Sequence, residues 1–173
     1  MIEWLGLTVL ILSVYTLIMK ATFMGNLVDK ESCAQMSRLC VDFNLRRAAR
    51  KVSKAFDEAL RPSGLKITQF SLLTSAYLQE NQNVGRLANL MGMDRTTLSR
   101  NLKLLEKRGL VKLEPGEDRR EVRVSLTPEG LDAMEMAAPL WHEAQEYIVQ
   151  ELGELRWEAM LAELRMLGKI LKK

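Results

Sequence analysis

Cysteine is nearly missing from this chain: there are two in 173 residues, Cys33 and Cys40. That excludes a disulfide framework and fits a reducing compartment. Histidine is scarcer still. His142 stands alone beside Trp141, and reads as a surface or interface residue rather than a base. One imidazole leaves no Cys/His ligand cluster and no Ser-His-Asp set, and no glycine-rich loop is present to cradle phosphate. Nothing marks a metal site built of carboxylates. These absences count against an enzyme and imply neither a cofactor nor a metal. The chain also lacks internal repeats and low-complexity stretches.

No uncharged run reaches the length of about 20 residues that a bilayer span requires. The longest, Trp4 to Met19, has sixteen, and Ile2 and Ala21 to Phe23 extend its apolar character past Lys20. It makes a poor secretory signal, because Glu3 replaces a positive n-region and no small-residue cleavage site follows. Residues 1–23 are therefore a separate apolar segment with three readings: a start assigned upstream of the true one at Met19 or Met24, a membrane anchor, or an extra helix. As an anchor, Lys20 and Arg38 would keep the following chain in the cytoplasm.

What is abundant is helical periodicity. Val84, Leu87, Ala88 and Met91 recur at i, i+3, i+4 and i+7, one buried face of a short helix. Gly92 follows where a tight inter-helix turn wants positive φ. Asp94 is a good N-cap for a second helix with a Leu98, Leu102, Leu105 stripe. Arg95, Thr96, Thr97, Ser99, Arg100 and Lys103 fall off that stripe. Hydroxyls and cations on such a face suit base edges and phosphates in a major groove. Gly109 ends the helix as a C′ glycine.

A hairpin comes next. Leu110–Leu113 and Glu121–Leu126 alternate apolar and polar residues around the turn Glu114-Pro115-Gly116-Glu117-Asp118-Arg119-Arg120. An arginine at such a tip suits a minor groove. Two helices, then a charged hairpin, in this order, make a helix-turn-helix with a wing, and point to double-stranded DNA. Residues 84–123 hold ten Lys/Arg against six acids, an excess of +4 in a chain of net +3. The basic charge thus sits on the proposed reader, as attraction to phosphate requires. The following helix is acidic, with Glu129, Asp132, Glu135, Glu143, Glu146 and Glu151.

At Asp94-Arg95-Thr96-Thr97-Leu98-Ser99-Arg100, Leu105-Glu106-Lys107-Arg108-Gly109-Leu110-Val111, Glu117-Asp118-Arg119-Arg120 and Val124-Ser125-Leu126-Thr127-Pro128-Glu129-Gly130 the chain resembles the MarR family of bacterial winged-helix regulators. Phe43 to Arg50 and Leu65 to Leu73 look like that family's first two helices. The resemblance covers residues 33–173. It implies a mainly α fold with a small β-hairpin wing, a winged core at about 65–126, and dimerisation helices at about 36–60 and 128–171. It further implies a homodimer on a palindromic operator, usually a repressor released by a small-molecule ligand. Asp118 would orient an arginine of the wing, and Phe43, Arg47, Phe70 and Trp141 would line the ligand pocket. Some relatives carry a reactive cysteine near the start of the first helix, which makes a thiol sensor built on Cys40 the alternative. Here Val41-Asp42 shifts that register. A winged helix turned protein-interaction module ranks lower, because Arg95, Arg100 and Lys103 furnish a basic face.

The remaining elements follow from the same signals. One helix is expected over about 36–60, with Leu39, Phe43, Ala49, Val52 and Phe56 on its apolar side. Pro62-Ser63-Gly64 breaks the chain, and Thr68 is the expected N-cap of a helix to about Gln79. Thr127 with Pro128 at N1 starts a helix to about Leu152, with Pro139 as a potential kink. Gly153 separates a last helix whose Met160, Leu161, Leu164, Leu167 and Leu171 form a stripe suited to a partner subunit. Cys33 and Cys40, on one helix, would lie about 10 Å apart, too far for a bridge.

Overall fold

The structure, a computed structural model, describes residues 29–78, 82–116 and 121–171. The apolar segment 1–23 and the wing tip with Asp118, Arg119 and Arg120 lie outside the described residues. The chain divides into two units, Met1–Ala49 and Arg50–Lys173.

In the first unit, α1 spans Lys30–Leu39 and α2 begins at Val41, running on to Ala59 in the second. A single helix over 36–60 was expected; the chain instead breaks at Cys40, whose ψ of 116° is extended. The break is held by side chains. Asn44 Nδ2 donates to the Arg38 and Cys40 carbonyls at 3.0 and 2.9 Å; the first is a group that a continuous helix would have used itself, and the second also accepts the Asn44 N–H at 3.1 Å. Asp29 starts α1 by accepting the Ser32 N–H at 2.7 Å. Cys33 and Cys40 are free and exposed, and they do not share one continuous helix.

The second unit continues through a 3-10 turn, Arg61–Ser63, and then α3 (Ile67–Leu78), β1 (Gln82–Asn83), α4 (Val84–Met91), α5 (Arg95–Lys107), β2 (Val111–Pro115), β3 (Val122–Leu126), α6 (Pro128–Leu152) and α7 (Glu154–Ile170). Thr68 is not the cap of α3. Asp57 of α2 accepts the Ile67 N–H at 2.7 Å, and Gln69 reaches back to the Lys66 N–H at 3.0 Å. The latter is half of a capping box; the carboxylate of Asp57, from another helix, satisfies the first N–H of α3 and not the third.

The sheet has three strands in the order β1-β3-β2, all antiparallel, with Val111 opposite Leu126, Leu113 opposite Val124 and Asn83 opposite Arg123. The third strand, β1, is an addition to the expected hairpin. Leu60, Leu72, Leu73, Leu87, Leu98, Leu102, Leu105 and Val124 are fully buried and join α3, α4, α5 and the sheet into one core.

Thr127 caps α6 as expected, accepting the Gly130 N–H at 3.0 Å while its hydroxyl donates to the Gly109 carbonyl at 2.7 Å. The helix runs unbroken through Pro139 to Leu152, and Gly153, at φ 84°, separates α7. No residue of α7 is buried. Among the described residues no helix is long and apolar enough to cross a membrane.

Candidate nucleic-acid interface

Each helix of the pair α4–α5 is closed at its C-terminus by a glycine turn. Gly92, at φ 61°, ends α4, with the Met93 N–H on the Ala88 carbonyl at 2.9 Å and the Gly92 N–H on the Asn89 carbonyl at 3.2 Å. Gly109, at φ 74°, repeats the arrangement after α5, with Leu110 N–H on Leu105 and Gly109 N–H on Glu106 at 3.0 and 2.8 Å. Both are Schellman closures, which need a left-handed residue and explain glycine at these two positions. Between them Leu98, Leu102 and Leu105 bury one side of α5. The opposite side faces outward.

Asp94 caps α5 by accepting both the Thr97 N–H, at 2.8 Å, and the Thr97 hydroxyl. These bonds, the hydroxyl first, hold the Asp94 carboxyl below the usual carboxylate value. Thr97 therefore differs from its expected use. It is exposed, yet its hydroxyl proton is committed to the cap, and its remaining lone pairs can only accept.

Thr96 and Arg100 are exposed on the outer face. Arg95, Ser99 and Lys103, at i, i+4 and i+8, line a cleft shared with Val84 and with Leu113 and Val122 of the wing strands. The sequence-derived set thus forms two rows, one outward and one toward the wing. Leu104 is 49% exposed on the outer side, next to Arg100 along the helix. The apolar stripe gave no reason to count it, and a leucine there can meet a thymine methyl. Glu106 accepts the Leu113 N–H at 3.3 Å and so ties β2 to α5.

Of the expected pocket residues, Phe70 and Trp141 are brought together, with ring centroids 6.2 Å apart, and Phe56 completes the stack at 6.4 Å from Trp141. Phe43 and Arg47 belong to the first unit, where both are exposed. The open groove of the second unit lies beside this stack, between α2 and α6. It holds about 380 Å³ and is lined by Ala55, Ala59, Leu140, Glu143, Ala144, Tyr147 and Ile148. None of these was expected to line a pocket; Glu143 was read only as part of the acidic helix, and the others carry no chemical signature. His142 packs edge-on against Trp141 at 5.1 Å. Cys40 Sγ accepts the Phe43 N–H at 3.5 Å, and the nearby Arg46 is engaged by Asp42 at 2.9 Å.

The MarR family model matches residues 65–122. The crystal structure of M. tuberculosis transcriptional regulator MosR in complex with DNA is 38% identical at a TM-score of 0.69, covering 78% of this chain and 99% of MosR. The chain belongs to the MarR family. A second family structure, CouR from Rhodococcus jostii RHA1 bound to p-coumaroyl-CoA, is 26% identical at a TM-score of 0.65, covering 75% of this chain and 92% of CouR. The HTH-type transcriptional regulator YwoH of Bacillus subtilis is 32% identical over 85 residues, 49% of this chain and 62% of YwoH, so the match spans under two thirds of that relative. The fold is the winged helix of MarR proteins, mainly α with a small antiparallel sheet.

Proposed function

We propose that this chain is a sequence-specific, DNA-binding transcriptional regulator, a repressor released by a small-molecule ligand. The observation that carries the proposal is the outward face of α5. Its N-terminal half presents polar and basic side chains on a helix capped by Asp94 at its start, closed by a Schellman turn at Gly109 and tied to a hairpin. Likeness to MosR, crystallised with DNA, supports the same reading. In it α5 lies in the major groove. Thr96 and Arg100 meet bases, Arg95, Ser99 and Lys103 meet bases or phosphates on the wing side, and Thr97 serves as an acceptor and as part of the cap. Asp118, Arg119 and Arg120 supply the wing contact, on the strength of sequence alone. The acidic residues Glu129, Asp132, Glu135, Glu143, Glu146 and Glu151 are exposed on α6 and face away from the DNA.

The protein acts as a homodimer on a palindromic operator. Leu155, Met160, Leu164, Met166, Ile170 and Leu171 are exposed along α7, an apolar surface that a second copy would cover. The dimerisation helices are α1, α2, α6 and α7, and the winged core is residues 65–126. The effector occupies the groove between α2 and α6 beside the Phe56–Trp141–Phe70 stack, where apolar lining and the single carboxylate Glu143 suit a mostly apolar molecule. CouR, bound to p-coumaroyl-CoA, shows that a relative takes a small molecule. The protein works in the cytoplasm, where DNA is, and is not an enzyme. A membrane tether through residues 2–23 remains the alternative arrangement, with the same domain in the cytoplasm.

A second reading rests on Cys40. Its exposed thiol sits at the elbow between α1 and α2, so that oxidation there would act on the helix junction itself. Gel-shift titration of the full chain against DNA flanking its gene, at two salt concentrations, tests both. Specific, salt-sensitive binding supports the regulator. Loss on peroxide treatment that thiol restores, absent in Cys40→Ser, assigns the switch to Cys40 rather than to a ligand. Binding no stronger than to competitor DNA contradicts the regulator.

A further inference from the structure

Gln69 is the one buried polar side chain among the described residues, 7% exposed. Its Oε1 accepts two hydrogen bonds, from the Lys66 N–H at 3.0 Å and from Arg108 Nη1 at 3.3 Å. Arg108 is the C-cap of α5. Its guanidinium crosses to the start of α3 and lies 3.8 Å from where a Cβ on Gly64 would stand. A Cβ at Gly64 would meet the guanidinium only in ordinary van der Waals contact, but at φ 69° it would be strained. The far end of the recognition helix is thus bonded to the first turn of α3.

That first turn has two further anchors. Asp57 of α2 accepts the Ile67 N–H at 2.7 Å, and Phe70, the residue after Gln69, stacks on Trp141. Asp57 holds the Ile67 N–H and Gln69 holds the adjacent Lys66 N–H and Arg108, so the backbone of this one turn joins α2 to α5. The aromatic stack grips the same turn from α6. A buried acceptor shared by two donors has little freedom to adjust, because losing either bond leaves a polar group poorly satisfied.

We propose that Gln69 and Arg108 are positioning residues for DNA recognition: their contact sets the tilt of α5 and links it to the Phe56–Trp141–Phe70 stack. Arg108 then acts without touching DNA. The inference rests on the DNA-binding reading above and goes beyond it, since neither residue belongs to the DNA-contacting face. It gives a ligand beside Trp141 a route to the recognition helix through one turn of α3.

The competing role for Arg108 is a direct phosphate contact, and a double-mutant cycle separates the two. The probe is a duplex enriched from a random-sequence library by the full-length wild type. Arg108→Met keeps the stem and removes the donor. Gln69→Leu removes the acceptor at similar size, and Gln69→Glu retains it. Arg108→Met is expected to weaken binding about 3- to 10-fold, near the worth of one hydrogen bond. The salt slope should stay unchanged. The double variant Gln69→Leu/Arg108→Met should bind no worse than Gln69→Leu, and Gln69→Glu should bind like wild type. Additive losses, or a slope reduced by about one unit, make Arg108 a phosphate ligand and overturn the proposal. Unchanged affinity in Arg108→Met overturns it as well. Wild type that enriches no duplex removes the DNA-binding reading itself, and this inference falls with it.

Discussion

Gly130 offers the sharpest test of how the wing is mounted. It sits in the first turn of α6, against the chain leaving α5. A Cβ there would lie 2.0 Å from the Leu110 carbonyl oxygen, 2.9 Å from its carbon and 3.1 Å from Leu126 Cδ1. The obstacle is backbone, so no rotamer relieves it. Nor can the segment slide. The Gly130 N–H is bonded to Thr127 Oγ1, the Thr127 hydroxyl to the Gly109 carbonyl, and the Thr127 N–H to the Leu110 carbonyl at 3.3 Å. Gly130→Ala must therefore push α6 off the α5–β2 turn and break part of this set. Overpacking a tight site costs about 1–3 kcal/mol, and a contact this short against fixed backbone belongs at the upper end. For a chain of this size 1 kcal/mol moves Tm by about 2–4 °C, so a fall of roughly 6–12 °C is expected. Thermal unfolding followed by far-ultraviolet circular dichroism, with urea unfolding to confirm an unchanged m value, measures it. A variant melting within about 2 °C of wild type would refute the reasoning.

Three other substitutions probe separate parts of the account. Arg120→Ala should weaken operator binding and flatten its salt slope by about one unit, read by titration at several salt concentrations; unchanged values would remove Arg120 from the interface. Leu164→Glu places a charge in the apolar surface of α7 and should shift the protein to monomers in analytical ultracentrifugation, whereas an intact dimer would put the interface elsewhere. Asp94 titrates below its ordinary 3.8 in the folded chain, so its cap stabilises at neutral pH and is lost as pH falls through the lower folded value. Asp94→Ala should accordingly melt below wild type at pH 7, with a gap that closes below pH 3.8; a gap that persists in acid would deny the cap its ionic character.

Elements set by nearby residues were legible before any coordinates. Asp94, Gly92, Gly109 and the Thr127-Pro128 pair each act within a few residues, so their chemistry shows in the local sequence. The alternation of residues 110–113 and 121–126 likewise marked the two wing strands. What escaped depends on partners far along the chain. The cap of α3 comes from Asp57, ten residues upstream, so Thr68 looked the better candidate. The break at Cys40 is bridged by an asparagine side chain that takes the Arg38 carbonyl, and Asn44 reads equally well as an exposed helix residue. Two-residue β1 is too short for periodicity to reveal. Gly130 resembles any glycine in a first turn until Leu110 is placed beside it.

The candidate site divides the same way. The outward face of α5 follows from its apolar stripe, so Thr96, Ser99, Arg100 and Lys103 were found by subtraction. Subtraction missed the loss of the Thr97 hydroxyl to Asp94, and it passed over Leu104, whose side chain is apolar but not buried. The groove between α2 and α6 is made of alanines, aliphatics, one tyrosine and one glutamate, and becomes a cavity only when the two helices pack. Gln69, by composition an ordinary surface residue, is buried because Lys66 and Arg108 both need its oxygen.

Selection of duplexes from a random library by the full-length protein, followed by sequencing and by the protein-to-DNA stoichiometry of the enriched duplex, tests the central claim most directly. The account predicts an inverted repeat bound by two protomers, with affinity falling steeply as salt rises. Enrichment of no sequence over the starting library would contradict it.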